Sequence, residues 1–248
     1  AVGFDTASIS ASNESNDTGQ ADTPTLLYPQ YNRVAMSSSQ TTSQANLQTS
    51  ASSYTWAPAT IAIPADCGKK FYWEVTIRNN AGNETLGMVD PTQRVGQAPA
   101  HGWVFCPPLN NIESDQGNIS TVVDTGATSI NTGNGTTYMF AYDADTQNVW
   151  IGEGGNWYRR NGASGNGDPA NNSNPFLTTS DGCIVDGELY APATAGSSAG
   201  TTEYEINFGQ MDFVHTVPSG FVHLNSTNLP EPTIKKGNKH FGVLTYAA

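Results

Sequence analysis

The sequence predicts an all-β protein, and three observations carry that expectation. Only 13% of its 248 residues are charged, whereas 25 Gly and 14 Pro, with abundant Ser, Thr, Asn and Gln, interrupt the chain every few residues. That is the profile of many short strands joined by turns. Several segments alternate apolar and polar side chains with the period of two that sends successive residues to opposite faces of a strand. No long stretch carries the i, i+3, i+4, i+7 apolar spacing of an amphipathic helix.

The elements follow in order. Residues 1–55 offer one apolar patch, DTPTLLYPQYN, before the tract SSSQTTSQANLQTSASS, which has almost no large side chains. Such a tract cannot build a core alone, but it can supply edge strands or an arm that wraps a neighbour. In FYWEVTI, Phe71, Trp73, Val75 and Ile77 share one face while Tyr72, Glu74 and Thr76 share the other, which predicts a strand. TTYMFAYDADTQNVWIGEGGNWY is broken at Asp-Ala-Asp-Thr and again at Glu-Gly-Gly-Asn, as two consecutive hairpins require. RRNGASGNGDPANNSN, from Arg159 to Asn174, is all turn formers and reads as a long surface loop. TEYEINFG places Tyr204, Ile206 and Phe208 opposite Glu203, Glu205 and Asn207. No internal repeat is present. Many strands with apolar faces to bury predict two antiparallel sheets packed face to face, with a closed barrel as the rival architecture.

Charge narrows the partners. The net charge of −12, from 22 acidic and 10 basic residues, repels a phosphate backbone and an anionic membrane alike. No apolar run approaches the roughly 20 residues that span a bilayer. The opening AVGFDTASISASNES lacks the basic start and apolar stretch of a signal peptide, so the expectation is a processed product or a segment of something longer. Cys67, Cys106 and Cys183 match no zinc-ligand spacing and leave at least one thiol unpaired. They read as small buried apolar side chains, with one disulfide as the alternative. N-x-S/T triplets, such as those at Asn134 and Asn225, arise readily by chance in so Asn- and Thr-rich a chain.

Each stretch that approaches a catalytic or metal-binding motif has a simpler structural reading. GSSAG around Ser198 satisfies the nucleophile-elbow pattern G-x-S-x-G, but it sits in APATAGSSAGTT without the apolar strand and helix that motif needs. It reads as a flexible loop. ESDQGN, from Glu113, approaches the paired-glutamate pattern of jelly-roll glycoside hydrolases, yet its last position is Asn118, which can serve as neither acid nor base. Asp143 and Asp145 begin a calcium-loop pattern, but Asn148 and Gly154 stand where Gly and Glu are required. A hairpin turn is the simpler reading. No cofactor is expected, although calcium could find oxygen ligands on neighbouring loops. His101, His215, His223 and His240 are scattered and suggest no zinc site or triad.

What remains is a binding surface. Trp157, Tyr158, Arg159 and Arg160 lie together where a strand opens into the long loop, and aromatic and Arg side chains supply much of the energy at recognition hot spots. Alternatively, Trp157 and Tyr158 alternate between core and cover while the arginines solubilise. QAPAHGWVFCPP offers His101 and Trp103 as a second candidate, on a loop tip or packed beneath it.

Taken in order, FYWEVTI, YMFAYDADTQNVWIGEGGNWY, EINFGQ and GFVHLNSTNLPEP resemble the successive signature strands of SPRY domains, over roughly residues 20–246. The resemblance implies a bent, two-sheet antiparallel sandwich of concanavalin A-like jelly-roll shape over 54–248, with 1–53 as an N-terminal arm or edge strands. It also implies protein or peptide binding through loops at one end, with no binding residue fixed by motif. GDPANNSNPF, DTPTLLYPQYN and NLPEPTIKKGNKHFGVLTY look more narrowly like SPRY proteins encoded by tailed phages and marine environmental viruses. The tract before Tyr54 and the loop from Val89 to Ile112 have no counterpart in that pattern. The expectation is therefore a non-enzymatic module of a virion, extracellular, homo-oligomeric or part of a larger assembly, contacting other virion subunits or a host surface protein or glycan. A carbohydrate-binding, lectin-like domain of a secreted or cell-surface protein is the alternative. A glycoside hydrolase or lyase using Glu113 ranks last.

Overall fold

The computed structural model describes residues 26–37, 39–51, 55–82, 85–91, 102–109, 111–113, 123–124, 130–160, 164–196 and 200–230. The described residues contain strands and short 3-10 turns and no α-helix. In chain order the strands are β1 (Gln40–Ser43), β2 (Gln48–Ala51), β3 (Trp56–Pro58), β4 (Ile63–Pro64), β5 (Lys70–Asn79), β6 (Thr85–Val89), β7 (Gly102–Cys106) and β8 (Asn111–Glu113). There follow β9 (Val123–Asp124), β10 (Thr137–Asp143), β11 (Asn148–Glu153), β12 (Asn156–Trp157), β13 (Arg159–Arg160), β14 (Leu189–Ala195), β15 (Thr202–Asn207) and β16 (Val222–His223). They form two main sheets and a short ribbon. The larger sheet runs β1-β2-β15-β5-β10-β11-β12, the smaller runs β3-β14-β6-β7-β8 with β4 also on β14, and β9 pairs β13. All pairings are antiparallel except β16, which joins β5 in parallel at Phe71 and Tyr72, just beyond the stretch that β15 covers. The fold is the expected all-β sandwich.

Period-two alternation explains the core. Phe71, Trp73, Val75 and Ile77 of β5, Tyr138, Phe140 and Tyr142 of β10, and Tyr204, Ile206 and Phe208 turn inward and meet Leu86, Met88, Trp103 and Phe105. Register aligns Trp73 with Phe140, and their rings stack 5.4 Å apart at 9°. Trp103 reaches Phe140 at 6.1 Å, and Phe105 meets Tyr138 edge-on at 5.7 Å. The pairs made by Trp103 and Phe105 span the two sheets and fix how the layers sit, and each of the three pairs adds about 0.5–1.5 kcal/mol beyond the area it buries.

Both predicted hairpins form. In the first, β10 to β11, one oxygen of the buried Asp143 carboxylate accepts the N–H groups of Asp145 at 3.0 Å and Thr146 at 3.4 Å, and the other takes Lys70 Nζ at 2.8 Å. Asp143 thus closes a turn, as an Asx cap does. In the second, Gly154 and Gly155 both adopt positive φ, 58° and 81°, the two-residue geometry that matches strand twist and suits glycine.

Three expectations need correction. Val89 to Ile112, read as a loop, contains β7, in which all of Gly102–Cys106 is buried. A strand buried on both faces shows a continuous apolar run and no alternation. APATA, read with the flexible GSSAG loop, belongs to β14, a central strand of the smaller sheet. Its Pro192 is tolerated because the Pro192 carbonyl accepts from Ala59, so the missing N–H falls on that same side, past the end of β3, and costs no bond to β6. The stretch from Arg159 to Asn174 is not a free loop where it is described. Arg159 and Arg160 pair with Asp124 and Val123, Gly167 donates to the Tyr158 carbonyl at 3.1 Å, and Trp150 Nε1 donates to the Ser173 carbonyl at 2.9 Å.

Of the N-terminal region, Tyr28 and Tyr31 enter the main core, and the β1–β2 hairpin continues the larger sheet through β2 on β15. No disulfide joins the three cysteines; Cys106 and Cys183 are buried and Cys67 is half-buried. Burial pushes the Cys67 thiol above its ordinary range.

Candidate functional site

The four residues from Trp157 to Arg160 do not share a surface. Trp157 packs on the outer face of the larger sheet, edge-on to Tyr72 at 6.4 Å. Tyr158 turns inward against Phe105 at 5.9 Å and is 5% exposed. Burial, with the nearby Glu153 carboxylate adding to it, drives its phenol well above the ordinary tyrosine range. Arg159 is half-buried. Arg160 forms a two-pronged bridge to Asp181, both N–O distances 2.7 Å, and Asp181 also accepts the Thr178 N–H at 2.8 Å. The aromatics thus alternate between cover and core, and Arg160 is spent on holding the 178–182 turn. Trp103 is fully buried in β7, which places it beneath the surface. His101, Ser198, His240 and the segment after Glu113 lie outside the described residues.

An apolar cluster that no motif in the sequence marks lies on the outer face of the larger sheet. Tyr72, Met139, Ala141, Trp150 and Phe221 are buried there, with Trp157, Phe213 and Val217 packed against them. Residues 208–221 leave β15, cross this face and return as β16. Asn207 and Gln210 start the crossing. Asn207 accepts the Gly209 N–H at 2.9 Å and donates to the Asp212 carbonyl, while Gln210 accepts from Phe208 and donates to Ile206. Glu74, on the face of β5 that alternation sets opposite Trp73 and Val75, then fastens the segment. Its carboxylate, 1% exposed, accepts the Val214 and His215 N–H groups at 2.8 Å each and the Tyr72 hydroxyl at 2.7 Å. Three donors replace the water that a buried carboxylate would otherwise lack. Tyr72 in turn has its phenol pushed far up, by burial first and by Glu74 second.

Where this segment meets the far end of the β10–β11 hairpin there is a recess of about 240 Å³, lined among others by Asn131, Thr136, Thr137, Glu153, Val214 and His215. The Glu153 carboxylate faces the Asn131 backbone N–H at 3.2 and 3.4 Å. The Thr137 hydroxyl is tied to Thr76 at 2.8 Å, and Val214 stands at the rim, 66% exposed. No motif announced this recess, because its walls come from separate stretches of chain that only the sheet and the crossing segment bring together. Among the described residues no three His, Cys, Asp or Glu side chains are grouped to hold a metal ion.

Neither a family model nor a curated protein sequence matches the chain. The fold is a two-sheet sandwich, and solved structures that it is similar to include SPRY domains. The SPRY domain of human HERC1 matches with a TM-score of 0.47 and 12% identity, over 70% of this chain and 97% of that one. The PSpry domain of TRIM65 matches with a TM-score of 0.45 and 10% identity, over 71% and 90%. Stonustoxin matches with a TM-score of 0.46 and 10% identity, over 72% of this chain and 27% of its own.

Proposed function

We propose that this chain is a non-enzymatic structural or recognition module of a phage virion, tail- or fibre-associated, that binds neighbouring subunits or a host surface receptor. One observation carries most of the reading. Three of the four segments whose residues resemble SPRY signature strands become β5, β10, β11, β12 and β15, consecutive neighbours in one sheet, β15-β5-β10-β11-β12, and the fourth holds β16, which also pairs with β5. Motifs dispersed over about half the chain thus meet as a single structural unit, as strands of one inherited domain do. The sparse charge and the Ser-, Thr- and Asn-rich composition suit a rigid external part better than a nucleic-acid binder. Mass spectrometry and cross-linking of particles purified from the source culture test the proposal. The expected result is the chain in the particle fraction, cross-linked to a structural subunit or to a host surface protein. Its absence from particles, with the chain found only in cell extract, overturns the virion role.

A further inference from the structure

We propose that the outer face of the smaller sheet is the docking surface for the chain's own C-terminal segment, residues 240–246, HFGVLTY. The face is made by Trp56, Val89, Val104, Cys106, Ala193 and Ala195, with Gly87 opposite Val104 and Gly102 opposite Val89. Each of the six side chains is only 0–2% exposed. Outward side chains of a sheet reach such burial only beneath another layer. On the main core and on the outer face of the larger sheet, further apolar side chains are packed against the buried cluster, but among the described residues none is packed against this one. An apolar face calls for an apolar cover, which has to come from outside them.

Sequence content selects the tail. Residues 231–248 carry Ile234, Phe241, Val243, Leu244 and Tyr246, whereas 1–25 carries Val2, Phe4 and Ile9, and the 92–101 connection only Val95. Large side chains on the cover suit small ones on the sheet, because facing layers interdigitate when bulk on one side meets its lack on the other. Reach is sufficient. Ser226 exchanges hydrogen bonds with Leu27 at 2.9 Å, and Tyr31 bridges Ala59, whose N–H donates to Pro192 of β14. The chain approaching Pro230 is thus tied through 27–31 to the β3 edge of the smaller sheet. From there, residues 231–239 can span roughly 30 Å, against about 15 Å from β3 to β7 at about 4.8 Å per strand. Charge acts in the same direction. Lys235, Lys236 and Lys239 give this connector three of the chain's 10 basic residues, and Glu231 one of its 22 acidic ones, so the acidic body attracts it.

Cys106 lies in the face and reports on its cover. The test compares the rates at which N-ethylmaleimide modifies each cysteine in the 248-residue chain and in the same chain ended at Lys239, read by peptide mass spectrometry. Without the tail, Cys106 is expected to react at least about ten-fold faster, since thiol modification follows access. Cys183, buried in the main core, stays slow in both. Adding the peptide of residues 240–248 to the shortened chain restores the protection of Cys106. Equal protection of Cys106 with and without the tail overturns the proposal and assigns the cover to another stretch. Should Cys183 accelerate as well, the shortened chain has lost its fold, and benzoylphenylalanine replacing Phe241 in the 248-residue chain decides. Photo-crosslinks within one chain to 85–89, 102–106 or 193–195 support the docking, whereas crosslinks elsewhere, or between two chains, overturn it. None of these results bears on the virion role.

Discussion

The face of the larger sheet turned away from the core carries Tyr72, Glu74, Met139, Trp150 and the ring of Phe221. The corresponding face of the smaller sheet carries Gly87, Val89, Gly102, Val104, Ala193 and Ala195, with Trp56 alone as a large side chain. Both faces are closed to solvent, and they are built by different means. The first uses bulky rings and a charged clamp, so its cover is set by directional bonds from Glu74 to two backbone N–H groups. The second is flat and made of small side chains, so its geometry is set by how closely strands approach. A polar clamp specifies where one particular segment lies, whereas a smooth face specifies only that backbone comes near.

The largest effect should come from breaking the smooth face. A Cβ at Gly87 would sit 2.1 Å from the Trp103 carbonyl oxygen of the neighbouring strand, a contact that only a backbone shift relieves. Gly87→Ala is expected to cost about 3–5 kcal/mol in guanidinium unfolding, in the range of severe core overpacking. Gly154→Ala, in open space at φ 58°, is the control and should cost about 1 kcal/mol. Equal losses would mean that strand spacing is not what shapes the smaller sheet.

Next is the clamp. Glu74→Ala leaves two backbone N–H groups and the Tyr72 hydroxyl without their acceptor, for a loss of about 2–4 kcal/mol. Its signature is local, with faster hydrogen exchange at Val214 and His215 than the global loss accounts for. Glu74→Gln, which keeps one acceptor oxygen, should recover part of it. Unaltered exchange at those two amides would show that ring packing, and not the carboxylate, holds the crossing segment.

A smaller loss is expected at the 178–182 turn. Arg160→Ala strands Asp181, whose side chain is 7% exposed, and should cost about 1–3 kcal/mol. Arg160→Lys should restore little, because an ammonium cannot make both bonds of the fork. Full rescue by lysine would reduce the bridge to simple charge attraction.

The larger sheet was legible where apolar residues alternate with polar ones, as in β5 and β15, or where hairpin turns punctuate the chain, as on either side of β11. Phe71 to Ile77, the two hairpins at Asp143 and Gly154, and Tyr204 to Phe208 all lie as their alternation predicts. Legibility failed where neither alternation nor a flanking hairpin turn marks the strand. β7 has no polar partner residues to mark its period, β14 hides as Ala, Pro and Thr, and the clamp at Glu74 has no local signature because its donors come from residues about 140 positions away. The candidate site was less legible still. Trp157 to Arg160 are adjacent in sequence, and strand geometry sends such neighbours to opposite faces, so their proximity could not signal a shared surface. The recess is a product of tertiary structure and had no local signature to find.

The smallest effect concerns Arg78 and Glu205, the outward counterpart of the Glu74 clamp. Burial works to raise the Glu205 carboxyl, but hydrogen bonds from Arg78 and Gln48 outweigh it and hold the group below its ordinary value of 4.5. A carboxyl lowered by folding contributes stability that is present above about pH 4.5 and lost as pH falls through the folded value. Arg78 is 46% exposed, so water and salt screen the pair and its contribution should be only about 0.3–1 kcal/mol near neutrality. The unfolding free energy of wild type should therefore exceed that of Glu205→Gln by that margin near pH 7 and converge with it as pH falls below 4.5 and through the lowered folded value. A gap that persists in acid would assign the difference to the neutral hydrogen bond from Gln48 Nε2, 2.6 Å from the Glu205 carboxylate, and leave the charge of Arg78 without a measurable part.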